Sequence, residues 1–146
     1  MPLLDHFHSP LRDERHWDGF HSKWANVLVD ELNETIAHQQ RCAKAGDFTE
    51  FMAADNDFHR QLYAATDKLA LWALVQSRSG HIDRLRRLHL PSPGKAQDIV
   101  RHHKLIVKAI DASAPDAAHQ HLRTHLSGTL AYLDRIRARH PEYLSD

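Results

Sequence analysis

Four side chains that could bind a metal ion interrupt the apolar stripes of three predicted helices. One of these helices carries Asp55 and His59, which stand one turn apart on its apolar face. The second carries His103 and the third carries His125, each between apolar residues at helical spacing. A buried carboxylate is costly without a partner, and one divalent ion would satisfy it together with three imidazoles. The spacing therefore favours a metal site in the core of a helical bundle.

Each of these histidines also has a simpler explanation as a hydrogen-bonded core residue. The chain contains 14 histidines and one cysteine, Cys42, so imidazole is the abundant metal ligand and a four-cysteine zinc site is excluded. The sequence contains neither an HExxH motif nor the paired Glu-x-x-His motifs of di-iron bundles. A metal-dependent enzyme is therefore a weaker alternative than a binding domain, and a helical interaction bundle without metal stays open.

Five helical stretches are predicted to position these side chains. No stretch alternates apolar and polar residues long enough to form a strand, so we expect an all-α, antiparallel helical bundle of about five to six helices. Gly46 is the expected end of the first helix, and Asp47 with Glu50 is the expected cap of the second. Gly80 is a possible kink in the third, and Pro91–Gly94 form the clearest break. The stretches cover about residues 18 or 22 to 45, 47 to 65, 68 to 88, 96 to 112 and 113 to 139.

Length and composition indicate a single globular domain. The chain has 146 residues, with 19 basic and 19 acidic side chains. Its longest apolar run, Leu69–Val75, is far shorter than a membrane helix, and we expect a cytoplasmic protein without membrane contact. The arginines at positions 84, 86 and 87 are interpreted as a solvated face rather than a DNA-binding surface. We therefore expect no direct DNA contact by this chain.

The order of three short motifs carries a family resemblance. They are DNDFH at residues 55–59, HKLIVKAI at 103–110 and HL at 125–126. Together they resemble the FCD effector-binding domain of FadR-type regulators in the GntR family, over about residues 34–139. That domain is an all-helical bundle, and the resemblance implies that this chain adopts the same fold.

The resemblance also implies a ligand set and a partner. In metal-containing members, the matching residues bind a divalent ion, most often zinc or nickel, and a small organic acid occupies the remaining coordination positions. It also implies a homodimer. In this sequence the implied metal ligands are Asp55, His59, His103 and His125. Three more residues are candidates for contacts around the ligand: His121, one turn before His125, together with Arg101 and Arg84.

The first 33 residues depart from the family pattern. We expect residues 1–33 to be an atypical N-terminal segment and residues 34–146 to form the ligand-binding bundle. The opening, with Trp17-Asp18-Gly19-Phe20, resembles the start of uncharacterised Uma2-like bacterial proteins, but no nuclease motif follows. No winged helix-turn-helix is recognisable. The favoured function is a metal-dependent, small-carboxylate sensor domain of a transcription regulator, with the DNA-binding domain absent from this chain.

Overall fold

The computed structural model describes residues 14–128, 131, 133–139 and 141, and this part of the chain contains seven helices and no strand. The all-α prediction is therefore confirmed, with seven helices instead of five or six. Residues 1–13, part of the predicted N-terminal segment, lie outside the described residues. The helices are α1 (Glu14–Ala45), α2 (Phe48–Ala65), α3 (Leu69–Arg78), α4 (Gly80–His89), α5 (Lys95–Asp111), α6 (Pro115–Ser127) and α7 (Leu133–Arg139).

The turn between α1 and α2 forms as the sequence predicts. Gly46 adopts a left-handed φ of 72°, which a residue without a Cβ reaches at little cost. Asp47 then caps α2, because its side chain accepts a hydrogen bond of 3.0 Å from the backbone N–H of Glu50. This tight turn folds α2 back onto α1 and brings the two helices into contact.

Two predicted helices are each divided in the structure. The prediction of one helix over residues 68–88 is wrong, because α3 ends at Arg78 and α4 begins at Gly80. Between them, the Ser79 hydroxyl oxygen lies 3.1 Å from the Gln76 carbonyl oxygen and 2.6 Å from an Asp83 carboxylate oxygen, and its single proton is donated to one of these two acceptors. Such local bonds compete with the helical pattern, and the neighbouring glycine favours a break. The last predicted helix is likewise divided, into α6 and α7.

The core lies between α1, α2 and α5, with α6 packed on α5. Its largest fully buried apolar side chains include Leu32 from α1, Phe51 and Phe58 from α2, and Ile106 from α5. Burying each of these contributes about 1.5–3 kcal/mol relative to exposure. The packing fixes the positions of α2, α5 and α6, the three helices that carry the candidate metal ligands.

α1 crosses residue 33 without interruption. The division of the chain into residues 1–33 and 34–146 stays a prediction. None of the helices in the described ranges combines the length and apolar character that a lipid bilayer requires.

Candidate metal centre

Asp55, His59, His103 and His125 meet at one point between α2, α5 and α6. Each offers one donor atom, and these atoms all lie within 4.8 Å of one another. The Nε2 atom of His125 lies 3.1 Å from Nε2 of His59 and 3.2 Å from Nε2 of His103. The structure thus brings together the four residues that sequence reasoning selected as metal ligands.

The spacing of the nitrogens fits a common metal ion. Two imidazoles bound at about 2.1 Å, with an angle of 90–109° at the metal, place their nitrogens about 3.0–3.4 Å apart. The Asp55 carboxylate also faces the cluster, with Oδ1 at 3.5 Å from Nε2 of His103 and Oδ2 at 3.9 Å from Nε2 of His59. Three nitrogens and one carboxylate suit zinc, nickel and related divalent ions and do not select sharply among them.

Gln39 on α1 fixes the orientation and the tautomer of His103. Its side-chain oxygen lies 2.8 Å from Nδ1 of His103, and its side-chain nitrogen donates to Asp55 Oδ1 at 3.3 Å. Because an amide oxygen only accepts hydrogen bonds, Nδ1 must carry the proton and Nε2 keeps its lone pair. That lone pair faces the cluster, as a metal ligand requires. Sequence reasoning missed Gln39, although its place on the buried face after Thr35 and Ile36 was a signal.

Burial also holds the rings rigidly. His103 and Asp55 are 0% and 1% exposed, and the side chain of His59 is 13% exposed. The Phe58 ring stacks on His103, with centroids 3.8 Å apart and planes 9° from parallel. The donor atoms are therefore held in place by packing, which limits the reorganisation that binding an ion would require.

The same burial keeps the three imidazoles neutral. Desolvation lowers the pKa of His59 to about 4. It is also the main reason that the pKa of His125 falls to about 3, with the charges of His59 and His102 adding to the effect. Desolvation, followed by the charge of His125, holds the pKa of His103 well below 6.5. Near pH 7 all three rings can act as ligands without first losing a proton.

Arg86 on α4 is the cation that contacts Asp55. The interpretation of its arginine cluster as a solvated face is therefore wrong for this residue. Its guanidinium donates to Asp55 Oδ2 and, at 3.0 Å, to Asp83 Oδ1. The side chain is 20% exposed. In the sequence, the i, i+4, i+7 spacing of Ile82, Arg86 and His89 places these residues on one helix face, but that spacing alone does not show that Arg86 contacts Asp55.

The three residues proposed for contacts around the ligand have different positions. Arg101 is exposed and pairs with Asp98 at 3.1 Å, and it lines the cavity described below. His121 is partly buried, but in the described part of the chain it belongs neither to the donor cluster nor to the cavity wall. Arg84 is exposed and also lies outside that wall. Contact of any of the three with a ligand stays a prediction.

A cavity of about 1040 Å³ opens beside the donor cluster. Asp55, His59 and His125 line it together with Arg86, so three of the four donor residues are accessible from this space, whereas His103 is not part of its wall. Its remaining walls come from α3, α5 and α6 as well as from other residues of α2 and α4. A ligand in the cavity could therefore reach both the candidate metal position and a cation.

The fold and this cluster define an all-α domain with a candidate metal centre beside a ligand-sized cavity. Comparison with known protein families shows that the family described as "FCD domain" matches residues 23–128. The chain therefore belongs to that family. The resemblance inferred from the motifs is confirmed, although the match begins earlier than residue 34.

One relative is described as an "Uncharacterized HTH-type transcriptional regulator in unstable DNA locus" from Streptomyces ambofaciens. It is 33% identical over 116 residues, which cover 80% of this chain and 48% of the relative. The chain thus spans about half the length of that protein.

Proposed function

We propose that this chain is the effector-sensing domain of a transcription regulator, and that it binds a divalent metal ion and, at that ion, an organic carboxylate. The observation that carries the proposal is the convergence of one carboxylate and three neutral imidazoles at the wall of a large cavity. The family and the description of the relative as an HTH-type regulator support the regulatory part of the proposal.

The residues of the site have separate roles in this proposal. Asp55, His59, His103 and His125 would hold the ion, which when bound would supply a Lewis acid with coordination positions left for a carboxylate. Gln39 holds the ligating tautomer of His103. Burial lowers the pKa of each of the three histidines and so reduces the competition between protons and an ion.

Binding at this position would act on several helices at once. The four candidate ligands join α2, α5 and α6, and the contact between Arg86 and Asp55 adds α4. A ligand shifts a conformational equilibrium only by its different affinities for the two states. An acid bound here would contact groups on four helices. We therefore propose that its binding changes the relative packing of these helices. Dimerisation and communication with a DNA-binding domain belong to the same proposal.

The test begins with protein stripped of metal by a chelator. Titration with Zn²⁺ or Ni²⁺ in a calorimeter should show one equivalent bound, and His59→Gln should weaken that binding by at least tenfold. Organic acids should then raise the melting temperature of the metal-loaded protein and leave the stripped protein unaffected. An equal shift of both forms would show that the acids bind without the metal and would contradict the proposal.

One observation favours a second candidate, a helical interaction bundle that holds no metal. The Asp55 carboxylate already receives hydrogen bonds from Arg86 and Gln39, so the protein itself provides partners for the buried charge. In that case the histidines are polar core residues, and the calorimetric titration would show no bound ion. An enzymatic role receives no comparable support from the described site.

A further inference from the structure

The cavity extends far beyond the donor cluster. Along α2 its wall includes Asp55 and His59 and continues past Leu62 and Tyr63 to Thr66. Eleven helical steps separate the first and last of these residues, which is about 16 Å at 1.5 Å per residue. The candidate metal position lies near one end of this α2 wall, and about two helical turns of wall continue beyond His59.

The chemistry of the wall changes along that length. Charged side chains such as Lys95, Asp98 and Arg101 also line the cavity. Beyond these groups, the donors and Arg86, most of the accessible wall is formed by apolar side chains from five helices. They include Leu62 on α2, Trp72 and Val75 on α3, Ile110 on α5 and Leu122 on α6. The donor cluster and the apolar wall are continuous within one cavity.

Much of this apolar wall is in contact with solvent. Leu71 is 48% exposed, Ile82 is 39% exposed and Leu126 is 58% exposed, and all three line the cavity. α3 as a whole contains no buried residue. Apolar surface gathered in a concave site indicates a ligand that covers it.

A small acid would leave most of this space filled with water. An acid of three or four heavy atoms takes up roughly 100 Å³, on the scale of about 30 Å³ for each water-sized group. The cavity measures about 1040 Å³, so such an acid would fill about a tenth of it. It could satisfy the metal and Arg86, but it would not touch the apolar side chains of α3.

We propose that the effector is an amphipathic monocarboxylate, with its carboxylate at the metal centre and an apolar body lying along α2 against α3, α5 and α6. This inference rests on the proposed function and replaces the small hydrophilic acid with a larger ligand class. The apolar body should be several methylenes long, and each methylene that leaves water should tighten binding about fourfold.

The test uses the zinc-loaded protein and straight-chain acids from acetate through butanoate, hexanoate and octanoate to decanoate. The dissociation constant should fall about fourfold per methylene over the middle of this series. Val75→Asn should weaken octanoate binding at least fivefold and leave acetate binding unchanged. Leu74→Asn is the matched control, because Leu74 is the adjacent exposed apolar residue and lies outside the cavity wall.

The possible results separate this inference from the proposed function. Metal-dependent binding that is equally strong from acetate to decanoate would overturn the amphipathic ligand and leave the metal-dependent sensor intact. Octanoate binding that is equally strong in the stripped protein, or equally weakened by both variants, would also overturn it. If the protein binds zinc but none of the acids, both the inference and the carboxylate sensor are wrong.

Discussion

Acidification should unfold the metal-free protein because its core histidines resist protonation. The pKa of His59 is about 4 in the folded protein, against 6.5 for an ordinary histidine. As the pH falls below 6.5, His59 binds a proton in the unfolded chain but stays neutral in the folded chain. The free energy of unfolding is therefore highest above pH 6.5 and decreases as the pH falls from 6.5 to 4. His125 and His103 act in the same direction, because their pKa values are also lowered.

The magnitude follows from the size of the shift. A lowering of the pKa by about 2.5 units corresponds to about 3–4 kcal/mol for His59 alone, at about 1.4 kcal/mol per unit. The two other imidazoles add to this loss. A domain of this kind is stable by about 5–15 kcal/mol, so the metal-free protein should lose most of its stability before pH 4.

The pH dependence of the unfolding free energy can be measured by urea denaturation in the presence of a chelator. The measurement is made at pH 7.5, 6.5, 5.5 and 4.5. In His59→Gln the slope of the unfolding free energy against pH should be smaller by about 1.4 kcal/mol per unit, because one proton fewer is taken up. Leu62→Ala is the control, since it removes packing without a titrating group and should lower stability equally at every pH. An unchanged slope in His59→Gln would refute the assignment of a neutral, buried imidazole at this position.

Three further predictions concern the surroundings of the site and the fold. Arg86→Met should destabilise the metal-free protein by about 3–5 kcal/mol, since it leaves the buried Asp55 without its cation. Added zinc should stabilise this variant more than it stabilises the wild type. Equal stabilisation of both proteins by zinc in thermal melts would contradict this. Gln39→Met should weaken zinc binding by about 10–100-fold in a chelator competition, because His103 loses its orienting partner, and unchanged affinity would exclude that role. Gly46→Ala should cost about 1 kcal/mol in urea denaturation through its positive φ alone, as no atom lies within 4 Å of the added Cβ.

The positions of the donor residues could be predicted from sequence because helical spacing is a strong local signal. Asp55 and His59 are one turn apart on a stripe that also contains Met52 and Leu62, so their shared face follows from helix geometry. His103 and His125 stand in similar stripes. That the three helices would meet there was inferred from the cost of burying a carboxylate without a partner and then from the family resemblance, because spacing within one helix contains no information about its neighbours.

The features that sequence reasoning missed depend on tertiary contacts. The break at Ser79 is the exception, because its contacts with Gln76 and Asp83 are local, and the sequence indicated it only as a possible kink at Gly80. Arg86 lies among other arginines, and only the approach of α4 to α2 distinguishes it from a solvated residue. The size and apolar character of the cavity likewise arise from five helices together, so the amphipathic ligand could be inferred only from the structure.

The most direct test of the metal centre is the metal content of untagged protein purified without a chelator, measured by mass spectrometry. The wild type should contain about one equivalent of zinc, nickel or a related divalent ion, and His103→Ala should contain none. His121→Ala should keep the full equivalent, because it removes a histidine outside the donor cluster. Absence of metal from the wild type, or equal content in the wild type and His103→Ala, would contradict a metal centre at these four residues.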